Sequence, residues 1–186
     1  MAILSGNSLL TLAFEILSDK KLKLKNKIKT ELIYSLAICS GYSGMAGGQY
    51  LDLNFEHKKV NKLQLIKMQN KKTGKLFSFC CSSSAVIKEK KLSIIRDLRQ
   101  IGLQIGLLYQ ISDDLIDVRG NSNKAGKPTK SDVKRGKATL VNLLGYNNLL
   151  EFAYSLKNKL VNKIKKYGTK SRDLLESLEY IIHREV

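Results

Sequence analysis

The chain has one proline, three cysteines and two histidines among 186 residues, and its 16 acidic groups are outnumbered by 33 basic ones. A single proline beside thirteen glycines leaves little to interrupt helices. No stretch alternates apolar and polar residues with the period of a strand, and there are no internal repeats, so the expected fold class is all-α. Cys39, Cys80 and Cys81 follow neither zinc-ligand nor disulfide-framework spacing. Their odd number suits a reducing compartment, and the adjacent Cys80 and Cys81 read as small helix residues. His57 and His183 stand among charged neighbours with no acid–base geometry legible around them. Apolar runs are too short for a membrane span, because Asn7, Glu15, Lys20 and later charges interrupt them. The opening Met-Ala-Ile-Leu-Ser-Gly has neither the basic start nor the cleavage site of a signal peptide. The expected location is cytoplasmic. What is present is ample apolar material, 43% of residues, enough for one core and incompatible with wholesale disorder.

A net charge of +17 raises the question of nucleic acid. Twenty-seven of the basic residues are lysine and six are arginine, whereas base and phosphate readers favour the arginine fork. Lysine, asparagine and isoleucine are abundant together, which fits a coding bias toward A and T. The run Lys20, Lys21, Lys23, Lys25, Lys27 and Lys29 reads as a solvated face that attracts anions weakly. The expectation is no nucleic-acid partner, with a basic nucleic-acid-binding protein kept as an alternative.

Helical periodicity organises the whole chain. Residues 2–18 carry Ile3, Leu9, Leu10, Ala13, Phe14 and Leu17 on a helical period, with no capping residue ahead of them. An uncapped, buried-type helix at a chain terminus suggests a piece of something longer. A second helix is expected over 27–50, ending near Gly47-Gly48, a third over 59–87 and a fourth over 90–118. Residues 119–136, RGNSNKAGKPTKSDVKRG, form a long polar connection of the kind used as a lid or binding segment. Periodicity resumes over 137–166 with a break near Gly145, and a last helix is expected over about 171–184.

The informative stretch is YQISDDLIDV, residues 109–118. Gln110, Asp113, Asp114 and Asp117 fall at i, i+3, i+4 and i+7, on one stripe of a helix. Leu107, Leu108, Ile111, Leu115 and Ile116 take the other directions, so the helix is packed by its neighbours. Three carboxylates so placed repel one another unless a cation compensates. Oxygen ligands without His or Cys select Mg²⁺, which binds a few carboxylates and takes its other ligands from water and substrate phosphates. A bare Asp-Asp-x-x-Asp row also suits a solvated acidic face. The nearby anion-binding residues favour the metal: Lys72 and Thr73 in NKKTGKLF, Lys127 in AGKPTKSD, and Lys137 at the start of a helix. Ammonium and hydroxyl donors of this kind hold the remaining oxygens of a diphosphate, and a helix start adds backbone N–H groups.

The segments AILSGNSLLTLAFEIL (2–17), GGQYLDL (47–53), KKTGKLF (71–77), YQISDDLIDV (109–118) and the GK…D…GKAT run (126–139) stand in the order found in trans-polyprenyl diphosphate synthases. The chain resembles the bacterial farnesyl or geranylgeranyl diphosphate synthases over nearly its whole length, down to the terminal LEYIIHRE. The resemblance implies the isoprenoid-synthase helical bundle, here its C-terminal part. It implies that Asp113, Asp114 and Asp117 are the second Asp-rich motif, with Asp113 the chief Mg²⁺ ligand. It further implies that Lys72, Lys127 and Lys137 hold the allylic diphosphate, and that Lys72, Thr73 and Gln110 stand beside the developing allylic cation. Gln49 and Asp52 match a pair facing the cavity; Tyr109, beside Gln110, reads equally as a residue bordering that cavity or as a packing residue. The implied reaction is head-to-tail attack of isopentenyl diphosphate on an ionised allylic diphosphate in a dry cavity, by a homodimer that pairs through the helices of 2–18 and 27–50.

The family's first Asp-rich motif has no counterpart, since Asp113-Asp114 is the only adjacent pair of aspartates in the sequence. The upstream groups for isopentenyl diphosphate and the residues that set product length are also absent. Asn7 and Asn121 replace acidic residues of the pattern, and Lys130 replaces a glycine. The expectation is a single partial domain over 1–186, lacking its N-terminal third and nearly inactive alone. The alternative is a non-catalytic subunit that pairs with a full-length synthase.

Overall fold

The structure is a computed structural model that describes residues 1–119 and 138–184. Lys127, Lys137, Asn121 and Lys130 therefore lie outside the described residues. Among the described residues the secondary structure is entirely helical. Helices α1 (Ala2–Ser18), α2 (Asn26–Ser40) and α3 (Met45–Asn54) are followed by α4 (Lys62–Gln69), which runs through a π-helical turn (Asn70–Gly74) into α5 (Lys75–Ile87). The long α6 (Leu92–Arg119) comes next. Then follow α7 (Leu140–Leu144), α8 (Tyr146–Lys165), a 3-10 turn (Gly168–Ser171) and α9 (Arg172–His183).

The core lies around α6, which packs against α5, the π turn, α8, α9 and α7. Ile101, Ile105, Leu108, Ile111 and Leu115 recur every three or four residues and are buried. On α8 the same spacing sets Leu149, Ala153, Leu156, Leu160 and Ile164 against them. Leu65 and Met68 of α4, and Leu178 and Ile181 of α9, close the cluster. Each fully buried aliphatic side chain here contributes about 1.5–3 kcal/mol of hydrophobic stabilisation. A smaller cluster, Ile28, Leu32 and Val86, joins α2 to α5.

Local signals set the helix starts. Asn61 and Gln64 form a reciprocal capping box on α4, with 2.9 and 2.8 Å hydrogen bonds. The Thr139 hydroxyl accepts from the Asn142 amide at the head of α7. Gly145 ends α7 at φ +79°, a conformation that favours glycine, and so makes the break expected there.

The single helix expected over 27–50 is instead two. The chain turns at Gly41–Gly44, where the Gly44 amide donates to the Gly41 carbonyl at 3.0 Å. A Cβ on Gly44 would stand 1.9 Å from the Cys39 carbonyl oxygen, so only glycine permits this turn. Gly47 and Gly48 do not end a helix; they lie buried in the first turn of α3. Helix α1 buries no residue, and Ile3, Leu4, Leu9, Leu12 and Ile16 are exposed along it. No described helix is long and apolar enough to cross a membrane.

Candidate active site

Three backbones approach closely through glycines, and that approach builds the site. A Cβ on Gly48 of α3 would lie 2.1 Å from the Lys72 nitrogen in the π turn. A Cβ on Gly106 of α6 would lie 2.6 Å from the Gly74 Cα, and one on Gly102 2.5 Å from the Ser78 Cα. With hydrogen atoms at these positions, α3, the π turn with α5, and α6 pack nearly backbone to backbone. The polar side chains beside the glycines are thereby brought within hydrogen-bonding reach.

A π turn widens the helix by one residue and recurs at functional sites. Here adjacent residues of the turn reach different neighbours. Lys72 Nζ donates to Asp52 Oδ2 of α3 at 2.5 Å. Thr73 Oγ1 donates to Gln110 Oε1 of α6 at 3.4 Å, and Gln110 Nε2 donates to Asp114 Oδ1 at 3.1 Å. Asp52, Lys72, Thr73, Gln110 and Asp114 thus form one polar seam across three helices. Asp52 and Asp114 are 8% and 3% exposed, so these carboxylates depend on their partners for the solvation that burial removes. Tyr109 is half-buried beside Phe77, with ring centroids 5.6 Å apart. Gln49 is exposed and does not join the Asp52–Lys72 pair.

The acidic stripe divides. Asp114 and Asp117 are buried. Asp113, with 29% of its side chain exposed, accepts from Arg184 Nη2 at 2.7 Å. Among the described residues no three acidic, histidine or cysteine side chains converge on one point. The donor set still fits Mg²⁺ as that ion is commonly held, by one or two carboxylates with water and substrate phosphate completing its shell. Asp113 is the most accessible of the three for that purpose.

Arg184 is the residue that sequence reasoning missed. It appears only as the penultimate letter of LEYIIHRE, and no local pattern ties it to an aspartate 71 positions away. The structure seats its guanidinium 3.9 Å from the centre of the Tyr109 ring, with a further bond to the Tyr109 carbonyl at 3.1 Å.

The fold and site define the chain's class as an all-helical bundle with lysine, amide, hydroxyl and aspartate groups gathered on three helices. The comparisons narrow the class. A family model described as polyprenyl synthetase matches residues 1–181, and the chain belongs to that family. It is 36% identical over 188 residues to the farnesyl diphosphate synthase of Escherichia coli K12, covering 98% of this chain and 63% of the relative. Against the Micrococcus luteus farnesyl diphosphate synthase the values are 33% over 183 residues, 98% and 62%. An apo FPP/GFPP synthase from Zymomonas mobilis superposes with a TM-score of 0.81 at 36% identity, covering 97% of this chain and 60% of that one. A Helicobacter pylori geranyltransferase solved with magnesium and isoprenyl diphosphate gives 0.81 at 34% identity, with 97% and 59% covered. The chain thus spans about three fifths of the length of these relatives.

Proposed function

We propose that this chain forms the allylic-diphosphate side of a Mg²⁺-dependent prenyltransferase of isoprenoid biosynthesis, one that joins an allylic diphosphate to isopentenyl diphosphate head-to-tail. The seam Asp52–Lys72, Thr73–Gln110–Asp114 is the observation that carries the reading. It sets a lysine, a hydroxyl and an amide beside the aspartate helix, on a frame too tightly packed to relax.

Lys72 supplies an ammonium group to the diphosphate, and its ion pair with Asp52 fixes where that charge stands. Thr73 and Gln110 turn oxygen lone pairs toward the carbon that becomes electron-poor as the C–O bond to the diphosphate breaks. The double bond of isopentenyl diphosphate then forms the new C–C bond, and the product loses a proton to the departing diphosphate. Tyr109 and Phe77 give that region an apolar wall that keeps water from the carbocation. Mg²⁺, when bound, supplies the positive charge that makes diphosphate a good leaving group, and Asp113, Asp114 and Asp117 would hold it. Lys127 and Lys137 are assigned to the same diphosphate, and Asp52, Gln49 and Tyr109 to the cavity. Exposed Ile3, Leu9 and Ile16 on α1 and Tyr34 on α2 support a homodimer through these helices. Sedimentation as a monomer at micromolar concentration would refute the dimer.

The exposed apolar residues of α1 also suit one further reading, a non-catalytic subunit that pairs with a full-length synthase. Calorimetry with geranyl diphosphate and Mg²⁺ tests the site independently of turnover. Binding is expected to require Mg²⁺ and to weaken at least about tenfold in Lys72→Ala, given the strength of charge-assisted hydrogen bonds. Turnover with isopentenyl diphosphate is expected to be slow for this chain alone and to rise if a full-length synthase completes it. Metal-independent binding, or binding indifferent to Lys72, would overturn the proposal.

A further inference from the structure

Arg184 occupies a built seat. Its side chain is 7% exposed, less than the Asp113 it pairs with. Its guanidinium lies over the Tyr109 ring and donates to Asp113 Oδ1, to the Tyr109 carbonyl and, at 3.4 Å, to Ser112 Oγ. Ser112 in turn donates to the Ile181 carbonyl at 2.6 Å, so the end of α9 is joined to α6 at the same spot. A guanidinium taken this far from water needs a counter-charge, and Asp113 provides it. Asp113 is also the most exposed carboxylate of the acidic row. A dication and a guanidinium cannot both draw fully on one carboxylate, since each repels the other at that range.

We infer that Arg184 is a resident counter-ion of Asp113, displaced from it when a divalent cation takes that carboxylate, so that metal occupancy and the seating of the last helix are coupled. The inference rests on the assignment of Asp113 as a metal ligand. By linkage the coupling is reciprocal: Arg184 weakens cation binding by the factor by which the cation weakens the Arg184–Asp113 pair. The ring and carbonyl contacts to Tyr109 do not involve the carboxylate, and they keep the released guanidinium near the site.

The test titrates the full chain with Mn²⁺ alone and reads free ion by electron paramagnetic resonance. Arg184→Gln is expected to tighten Mn²⁺ binding about tenfold, within the usual range of coupling between linked sites. In an Asp113→Asn background the same substitution is expected to change affinity by less than about twofold, as for independent sites. Arg184→Lys keeps the charge and loses the fork, so it should give a smaller tightening of the same sign, and it serves if the glutamine variant does not fold. Unchanged or weaker binding in both variants overturns the inference. So does a gain that persists without Asp113, which marks a diffuse charge effect. A wild type that takes up no Mn²⁺ sinks the active-site reading and this inference with it.

Discussion

Gly48→Ala is the sharpest probe of how the site is built. The added methyl would meet the Lys72 nitrogen at 2.1 Å, the Lys72 Cα at 2.4 Å and the Lys71 carbonyl carbon at 2.7 Å. All three are backbone atoms of a helix packed on both sides, so no side chain can swing aside, and α3 must move off the π turn. Overpacking of this kind costs about 1–3 kcal/mol, and contacts with backbone place it near the upper end. Alanine recovers about 1 kcal/mol of helix propensity over glycine. The net loss is then about 2 kcal/mol, or a Tm lower by roughly 4–8 °C for a chain of this size. Gly6→Ala is the control. Gly6 lies mid-helix in α1 with nothing within 4 Å of a built Cβ, so its substitution should gain about 0.5–1 kcal/mol. Thermal unfolding by circular dichroism separates the two, and Mg²⁺-dependent affinity for geranyl diphosphate should fall for Gly48→Ala alone. If Gly48→Ala melted at or above the wild type, the close approach of α3 to Lys72 would not be what holds the seam.

Two further perturbations follow from charges whose partners are known. Lys72→Ala leaves Asp52, 8% exposed, without its cation. The usual 3–5 kcal/mol for breaking a buried pair shrinks here to about 1–3, because Lys72 keeps 27% of its side chain in solvent. Asp52→Ala in the same chain should restore part of that loss in urea unfolding, and no restoration would refute the pairing. Asp97 lies away from the site, where hydrogen bonds from Lys166 and then Tyr167 hold its carboxyl below the ordinary range. A depressed carboxyl contributes its full stability above the unfolded value near 3.9 and loses it as pH falls through the lower folded value. The stability difference between wild type and Asp97→Asn should therefore be constant from pH 7 to about 5 and shrink progressively below that. A difference that grew on acidification would contradict the assignment.

Helix periodicity carried most of the fold, and its failures have identifiable causes. The bounds of α1 and the break at Gly145 were legible because apolar spacing and an isolated glycine mark them locally. The turn at Gly41–Gly44 was not, since the adjacent pair Gly47-Gly48 is the stronger sequence signal and its function is packing. A π turn adds one residue to a helix without disturbing the apolar pattern on either side, so Lys72 and Thr73 read as ordinary helix positions. What distinguishes them, that one bonds α3 and the other α6, depends on Gly48 and Gly106 standing far away in the sequence.

The acidic row shows most clearly where spacing stops being informative. At 3.6 residues per turn, Asp113 and Asp114 point about 100° apart around the axis, with Asp117 between them. A stripe that wide can face two neighbours at once. In this chain Asp114 meets Gln110 on its own helix and turns inward, whereas Asp113 meets Arg184 from the end of α9. Both carboxylates satisfy the same motif, yet they meet different partners on different helices. That difference is set by a helix whose contact with Asp113 no local pattern announces, so the chemistry of the row is a property of the packing and not of the spacing alone.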